Sequence, residues 1–291
     1  MPVLSVNEEA LLISKQRASA KEPLNDILHQ KLLNYLKRFL VLGGMPEVIN
    51  RYAQTRDILA CQSILDDLLI SLKADFTKYK KRVPPVRLSE VFGAAARQSG
   101  GKFIYTKASS ESNHKQIKES LELLIMAGLV IPVTHSSANG LPLGAELNEK
   151  KRKMLIFDTG IFQRLLGLEI SDVLFQDNFN LVNKGSIAEL FAGLELVKSS
   201  SRFRQMQLYY WQREALNSNA EVDYLIQVKQ NIVPIEVKAG TKGSMQSLFL
   251  FLNEKNLRNG IRFSLENYSS YDKVIVNPLY AVAEVWNTNI C

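Results

Sequence analysis

The stretch that most restricts the fold runs from Ala220 to Gly240, "AEVDYLIQVKQNIVPIEVKAG", where two apolar–polar alternations flank Lys229-Gln230. Alternation at period two puts every second side chain on one face of a strand. In the first run Val222, Tyr224, Ile226 and Val228 share a face and Asp223 lies on the other. In the second, Val233, Ile235 and Val237 share a face, and Glu236 and Lys238 point away. A one-residue slip would expose either apolar set, so the pattern specifies the register. With Lys229-Gln230 at the turn, Val222 opposes Val237, Tyr224 opposes Ile235, and Ile226 opposes Val233. Asp223 then lies across from Glu236.

Like charges opposed in this way, with Cβ atoms about 5 Å apart, destabilise an antiparallel pair. A shared divalent cation would relieve the repulsion, and Mg²⁺ takes one or two carboxylates plus waters and substrate phosphates. Lys238 adds an ammonium on the face of Glu236, suited to charge developing on a phosphate. On periodicity alone the blander reading is favoured, a surface hairpin with incidental charges.

The remaining 270 or so positions set the context. A chain of 291 residues has room for two or three cores, and 46% hydrophobic with 22% charged residues is ordinary for a soluble globular protein. The longest apolar run, "LLIMAGLVIPV" at 123–133, is too short to cross a bilayer and is broken by Gly128 and Pro132. No basic patch followed by an apolar stretch marks the start as a secretory signal. Cys61 and Cys291 cannot build a disulfide framework, and His29, His114 and His135 are too scattered for a metal cluster. The expectation is a cytoplasmic protein with no membrane partner.

Net charge is +7, and residues 1–170 carry all of it, with 24 Lys/Arg against 17 Asp/Glu. Residues 73–118 hold 11 basic side chains against Asp75, Glu90 and Glu111. Such a segment attracts a polyanion, although a solvated basic surface accounts for the charge equally well.

Three- and four-residue apolar spacings predict helices in "LNDILHQKLLNYLKRFL", in "RDILACQSILDDLLISLKADFTKY", and in "RLSEVFGAAARQSG". Pro84 and Pro85 close the basic linker "KYKKRVPP". "NHKQIKESLELLIMAG" is a further helix, with Ser112 as its expected N-cap and Ile117, Leu121, Leu124 and Ile125 as its buried stripe. Two strands follow, around a Gly/Asn/Pro-containing loop, in "LVIPVTHSSANGLPLGAELNEKKRKMLIFD".

Three helices and then a β-ribbon is the order of a winged helix-turn-helix, which sets one helix in the major groove and basic flanks on the backbone. Lys102, Lys107, His114, Lys115 and Lys118 are then the nucleic-acid contacts. Winged helices also serve as protein-docking modules or spacers. Beyond Asp158 the order is helix, three strands, helix and late strands, the last of them in "YDKVIVNPLY" and "AVAEVW". An α/β sandwich around a mixed sheet is expected there.

The signature of Asp223 followed by Glu236-x-Lys238, after a helix bearing Glu189, resembles the PD-(D/E)XK nuclease superfamily. Its "PD" is Val222-Asp223 here. Five segments also resemble, in order, a domain of unknown function found C-terminal to predicted AAA-type ATPases. They are "GGMPEVI" (43–49), "LIFDTGIFQRLLG" (155–167), "KGSIAELFAGLEL" (184–196), "LYYWQREALNSNAEVDYLI" (208–226) and "PIEVKAG" (234–240).

The resemblance implies Asp223 and Glu236 as ligands of Mg²⁺ or Mn²⁺, Glu189 as a ligand or water-orienting acid, and Lys238 as the catalytic lysine. It also implies a restriction-endonuclease-like fold and, as in many such nucleases, pairing into a homodimer. Glu189 shares a helix face with Ala192, Gly193 and Leu196, small residues at two of three positions that would let the face approach a sheet closely. No GxxxxGK[ST] loop exists: "GGKF" at 100–103 has Ala96 in place of the first glycine and Phe103 in place of the hydroxyl. Neither ATP binding nor ATP hydrolysis is expected, and the chain reads as a fragment or as a natural version lacking the motor.

The sequence thus predicts an α+β multidomain protein: a helical region at 1–80, a winged-helix domain at 81–158, and a nuclease-like α/β domain at 159–291. The expected function is Mg²⁺-dependent phosphodiester hydrolysis acting on DNA rather than RNA, with a separate AAA-type ATPase as a partner. The alternative is a catalytically silent DNA-binding or regulatory module of an ATPase system.

Overall fold

The computed structural model describes residues 22–168, 184–200, 206–215 and 218–287; Cys291 and residues 1–21 of the expected helical region lie outside them. The chain opens with α1 (Asp26–Leu42), α2 (Pro46–Thr55) and α3 (Ile58–Asp75). Asn25 caps α1 by accepting from the backbone N–H groups of Ile27 and Leu28, and Asp57 caps α3 through Ala60 N. In α1 His29, Leu33, Leu36 and Leu40 form the buried stripe that the three- and four-residue spacing requires.

A 3₁₀ turn at Phe76–Tyr79 leads to α4 (Pro85–Arg97). Pro85 does not belong to a linker, as expected, but occupies the first turn of α4, where a missing N–H costs nothing. α5 (His114–Met126) is capped by Asn113, not by Ser112: Asn113 and Gln116 form a reciprocal capping box. The Ser112 hydroxyl instead accepts from Arg87 Nε at 3.1 Å.

β1 (Val130–Ser136) and β2 (Leu147–Ile156) form the expected antiparallel pair. Then follow α6 (Thr159–Leu165), α7 (Lys184–Ser199), β3 (Leu208–Gln212), β4 (Glu221–Val228), β5 (Asn231–Val237) and α8 (Gln246–Glu254). β6 (Gly260–Ser264), β7 (Ser269–Tyr271) and β8 (Val274–Pro278) complete the sheet. α8 stops at Glu254, and Gly260 opens β6. One of the expected late strands does not form. "AVAEVW" lies in a 3₁₀ segment, Leu279–Asn287, that packs Val282 and Val285 into the main core.

Among the described residues the eight strands make one mixed sheet in the order β2-β1-β3-β4-β5-β6-β8-β7. The β1–β2 ribbon is therefore no free wing. β1 pairs in parallel with β3 through Val133–Leu208, Thr134–Tyr209 and His135–Tyr210, which carries the sheet across the boundary drawn at residue 158. One face is covered by the large core that includes α1 to α7, and the other by α8 through Leu248, Phe251 and Leu252. The protein is a mixed α and β structure with helices on both faces of one mixed sheet.

Two of the sequence segments meet at α6. Asp158 accepts from Ile161 N at 3.0 Å, capping α6, and from Gly44 N at 2.7 Å. Gly43 has φ +74°, and a Cβ there would lie 2.2 Å from Asp158 Oδ1. The pairing explains why a double glycine and a "DTG" turn occur together: the side chain of one takes the space that the other leaves.

Candidate active site

β4 and β5 pair as the alternation demands, with Tyr224 opposite Ile235, Ile226 opposite Val233, and Val228 opposite Asn231. Lys229 takes φ 55° at the turn. Val222 departs from the expected face. The β3–β4 register shifts between Tyr209, which faces Leu225, and Trp211, which faces Val222. That bulge puts Val222 with Trp211, Leu225 and Phe251 under α8, while Tyr224 and Ile226 face the main core.

Asp223, Glu236, Lys238 and Glu189 come together at this end of the sheet. Asp223 Oδ2 accepts from Val237 N at 2.7 Å, tying β4 to β5. Lys238 Nζ lies 2.5 Å from Glu236 Oε1. α7 brings Glu189 in by a close approach at Gly193, where a Cβ would lie 2.5 Å from both Leu155 Cδ1 and the Tyr224 hydroxyl. The Tyr224 hydroxyl donates to the Glu189 carbonyl at 2.8 Å, fixing the helix on the sheet.

The sequence reading missed the residue at the centre. Lys153 of β2 is fully buried and bonds to Glu189 Oε1 at 2.9 Å and to Glu221 Oε1, with Asp223 Oδ1 at 3.8 Å. The Tyr210 ring lies 5.1 Å from its ammonium. Within "NEKKRKMLIFD" this lysine looks like one more solvated charge. Its one distinguishing mark is its place at the head of the apolar run Met154-Leu155-Ile156, a strand end buried on both faces. Glu221 left no signal beyond its position just before Val222.

Burial alone would lower the Lys153 pKa, but the carboxylates of Glu189, Asp223 and Glu221 outweigh it and raise it above the ordinary lysine range. Burial pushes Glu189 up to about 7, against the pull of Lys153 and with Asp223 adding to the rise. Burial, and then the Asp223 carboxylate, push Glu236 up to about 8, against Lys238. The paired ladder runs from Val228–Asn231 to Tyr224–Ile235, and just beyond its end the Asp223 carboxylate raises Glu236 while Lys238 opposes the rise.

Among the described residues no three His, Cys, Asp or Glu side chains form a group able to hold a metal ion. Glu189 is thus not gathered with Asp223 and Glu236 into a three-acid set; its Oε1 is taken by Lys153. A two-carboxylate site remains. Glu236 is 5% exposed and its Oε2 is buried without a hydrogen-bond partner, an orphan of the kind a hard cation satisfies. Glu189, Glu221, Asp223 and Glu236, when ionised, exceed Lys153 and Lys238 by two negative charges. The acids left to meet such a cation are Asp223 and Glu236, with water or substrate oxygens to complete its shell.

A separate cleft of about 1680 Å³ lies over β1, β2 and β3 and is lined in part by Lys102, Tyr105, His114, Lys118 and Arg152. Arg152 donates to the Tyr105 hydroxyl and to Glu122, and the Tyr105 and His114 rings meet at a tilt of 40° with centroids 4.4 Å apart. Lys107 and Lys115 are exposed and lie outside this cleft. None of the acid–lysine cluster lines it.

Fold and site define a mixed α/β protein whose central sheet carries a buried acid–lysine cluster. Residues 33–172 match a domain of unknown function, DUF8612, and residues 184–282 match a second, DUF4143. No curated protein and no solved structure matches the chain. Among the described residues no helix is long and apolar enough to cross a membrane.

Proposed function

We propose that the chain is a divalent-metal-dependent phosphodiester hydrolase acting on DNA, with a nuclease-like site on β4, β5 and α7. The observation that carries this reading is the convergence of Asp223, Glu236 and Lys238, with one Glu236 oxygen buried and unpaired. Asp223 and Glu236 would hold the ion, which when bound lowers the pKa of a bound water and polarises a phosphoryl oxygen.

Lys238 holds the Glu236 carboxylate in place and offers an ammonium to charge developing on the phosphate. Glu189, raised to about 7, is able to take or hold a proton near neutral pH and so to orient an attacking water. Lys102, Lys107, His114, Lys115 and Lys118 are exposed between α4 and α5 or on α5, which supports contact with a phosphate backbone there. Domains of the DUF4143 kind are commonly associated with AAA ATPases, which supports a separate ATPase as partner.

The test is cleavage of supercoiled, linear and single-stranded DNA with Mg²⁺ or Mn²⁺. Metal-dependent nicking is expected, with a loss of at least 100-fold in Asp223→Asn and Lys238→Ala, on the order of the loss when one charge-stabilising group is removed. Equal activity in wild type and both variants defeats the reading. DNA affinity should fall steeply with salt and with Lys115→Ala plus Lys118→Ala; a flat salt response removes the helix–ribbon unit from that role.

One observation favours a second reading. Lys153 already neutralises part of the acid cluster, as it would in a silent scaffold that serves as a DNA-binding or regulatory module. DNA binding without any metal-dependent cleavage would select it.

A further inference from the structure

The acid cluster draws its cation from outside its own segment. Glu189, Glu221, Asp223 and Glu236 all lie within 184–282, whereas Lys153 lies within 33–172, on the far side of β1 and β3 in the sheet order. Nothing in the proposed chemistry uses that lysine. It is nevertheless fully buried, and three of its neighbours within 4 Å are carboxylates.

Two-metal hydrolytic sites hold their ions about 3.5–4 Å apart and need carboxylates enough to bind both. Here Glu189 and Glu221, the acids a second ion would require, are bonded to the Lys153 ammonium. The unpaired Glu236 Oε2 belongs to the other part of the cluster, where Lys238 takes only Oε1. With all four acids ionised, the excess of two negative charges is cancelled by one divalent ion and overturned by two. An ammonium among the ligands would also repel the second ion directly.

We infer that Lys153 is a resident cation that fills one of two cation positions in the cluster, so that the site takes a single divalent ion, at Asp223 and Glu236. This rests on the metal-dependent reading above. Glu189 and Glu221 then serve the lysine and not the ion, and Lys153 acts as a positioning residue. It fixes how many metal ions the site accepts without touching the reacting atoms.

Mn²⁺ titration of the full chain, followed by calorimetry and by the electron paramagnetic resonance of the bound ion, tests the assignment. One ion per chain is expected, with the uncoupled spectrum of an isolated Mn²⁺. Asp223→Asn and Glu236→Gln should weaken binding more than tenfold, and Glu189→Gln and Glu221→Gln less than about threefold. Lys153→Met should admit a second ion, read as a stoichiometry of two with spin coupling. Because that variant removes a buried charge and is at risk of not folding, the four carboxylate variants decide the matter without it. Two coupled ions in the wild type, or a tenfold loss in Glu189→Gln, overturns the inference and leaves the metal-dependent reading standing. No Mn²⁺ binding by the wild type overturns both.

Discussion

Replacing Glu236 with glutamine should make the protein more stable at alkaline pH and leave it nearly unchanged at acidic pH. Glu236 is 5% exposed and its pKa rises from 4.5 to about 8, first through burial and then through Asp223. A carboxylate whose folded pKa lies above its unfolded value binds its proton more tightly in the native state. Its contribution to stability is complete below pH 4.5 and is lost as pH rises through 8. At about 1.36 kcal/mol per pKa unit, a rise of about 3.5 units sets a ceiling of about 5 kcal/mol by pH 9.

Glutamine mimics the protonated acid, so a net gain approaching that ceiling, about 3–5 kcal/mol, is expected at pH 9. Urea denaturation of both proteins at pH 5, 7 and 9 in the presence of chelator reads the difference directly, which should be under about 1 kcal/mol at pH 5 and grow with pH. A difference that stays constant with pH would refute the reasoning, because only the proton of Glu236 makes it vary. Addition of Mg²⁺ at pH 9 should stabilise the wild type and not the variant, since bound ligand stabilises the native state by mass action.

The close approach of α7 to the sheet predicts that Gly193→Ala destabilises by about 1–3 kcal/mol, since its Cβ would lie 2.5 Å from the Tyr224 hydroxyl and Leu155. Gly185→Ala on the same helix, with nothing within 4 Å, should be neutral or stabilise by up to about 1 kcal/mol, and equal effects in urea melts would refute the packing argument. Asp158→Ala should cost about 2–4 kcal/mol by thermal or urea melts, as it removes the α6 cap and leaves the Gly44 N–H unpaired. Asp158→Asn should recover about half of that through its remaining oxygen, and an Ala variant as stable as wild type would end the account of the double glycine.

Local rules made several parts of this structure legible beforehand. Helix stripes in α1 and α5 follow from three- and four-residue spacing, because a helix has only one face to bury. The β4–β5 register follows from period two and the Lys229-Gln230 turn, because any slip would expose the apolar set. The nearness of Lys238 to Glu236 follows from period two, and the small residue at Gly193 marked the face that meets the sheet.

The tertiary structure alone decided the rest. The ribbon at 130–156 joins the main sheet because β1 pairs with β3, a contact between strands more than 70 residues apart that no local pattern encodes. The bulge opposite Tyr209 and Trp211 moved Val222 to the other face, since it depends on a partner strand and not on the alternation of β4 itself. Lys153 is the clearest case. Its own neighbourhood in the sequence is basic and polar, and only strand order brings three carboxylates around it. A buried charge is set by what surrounds it in space, because the cost of desolvating it is met only by partners close enough to bond; the chain order of those partners carries no trace of the meeting.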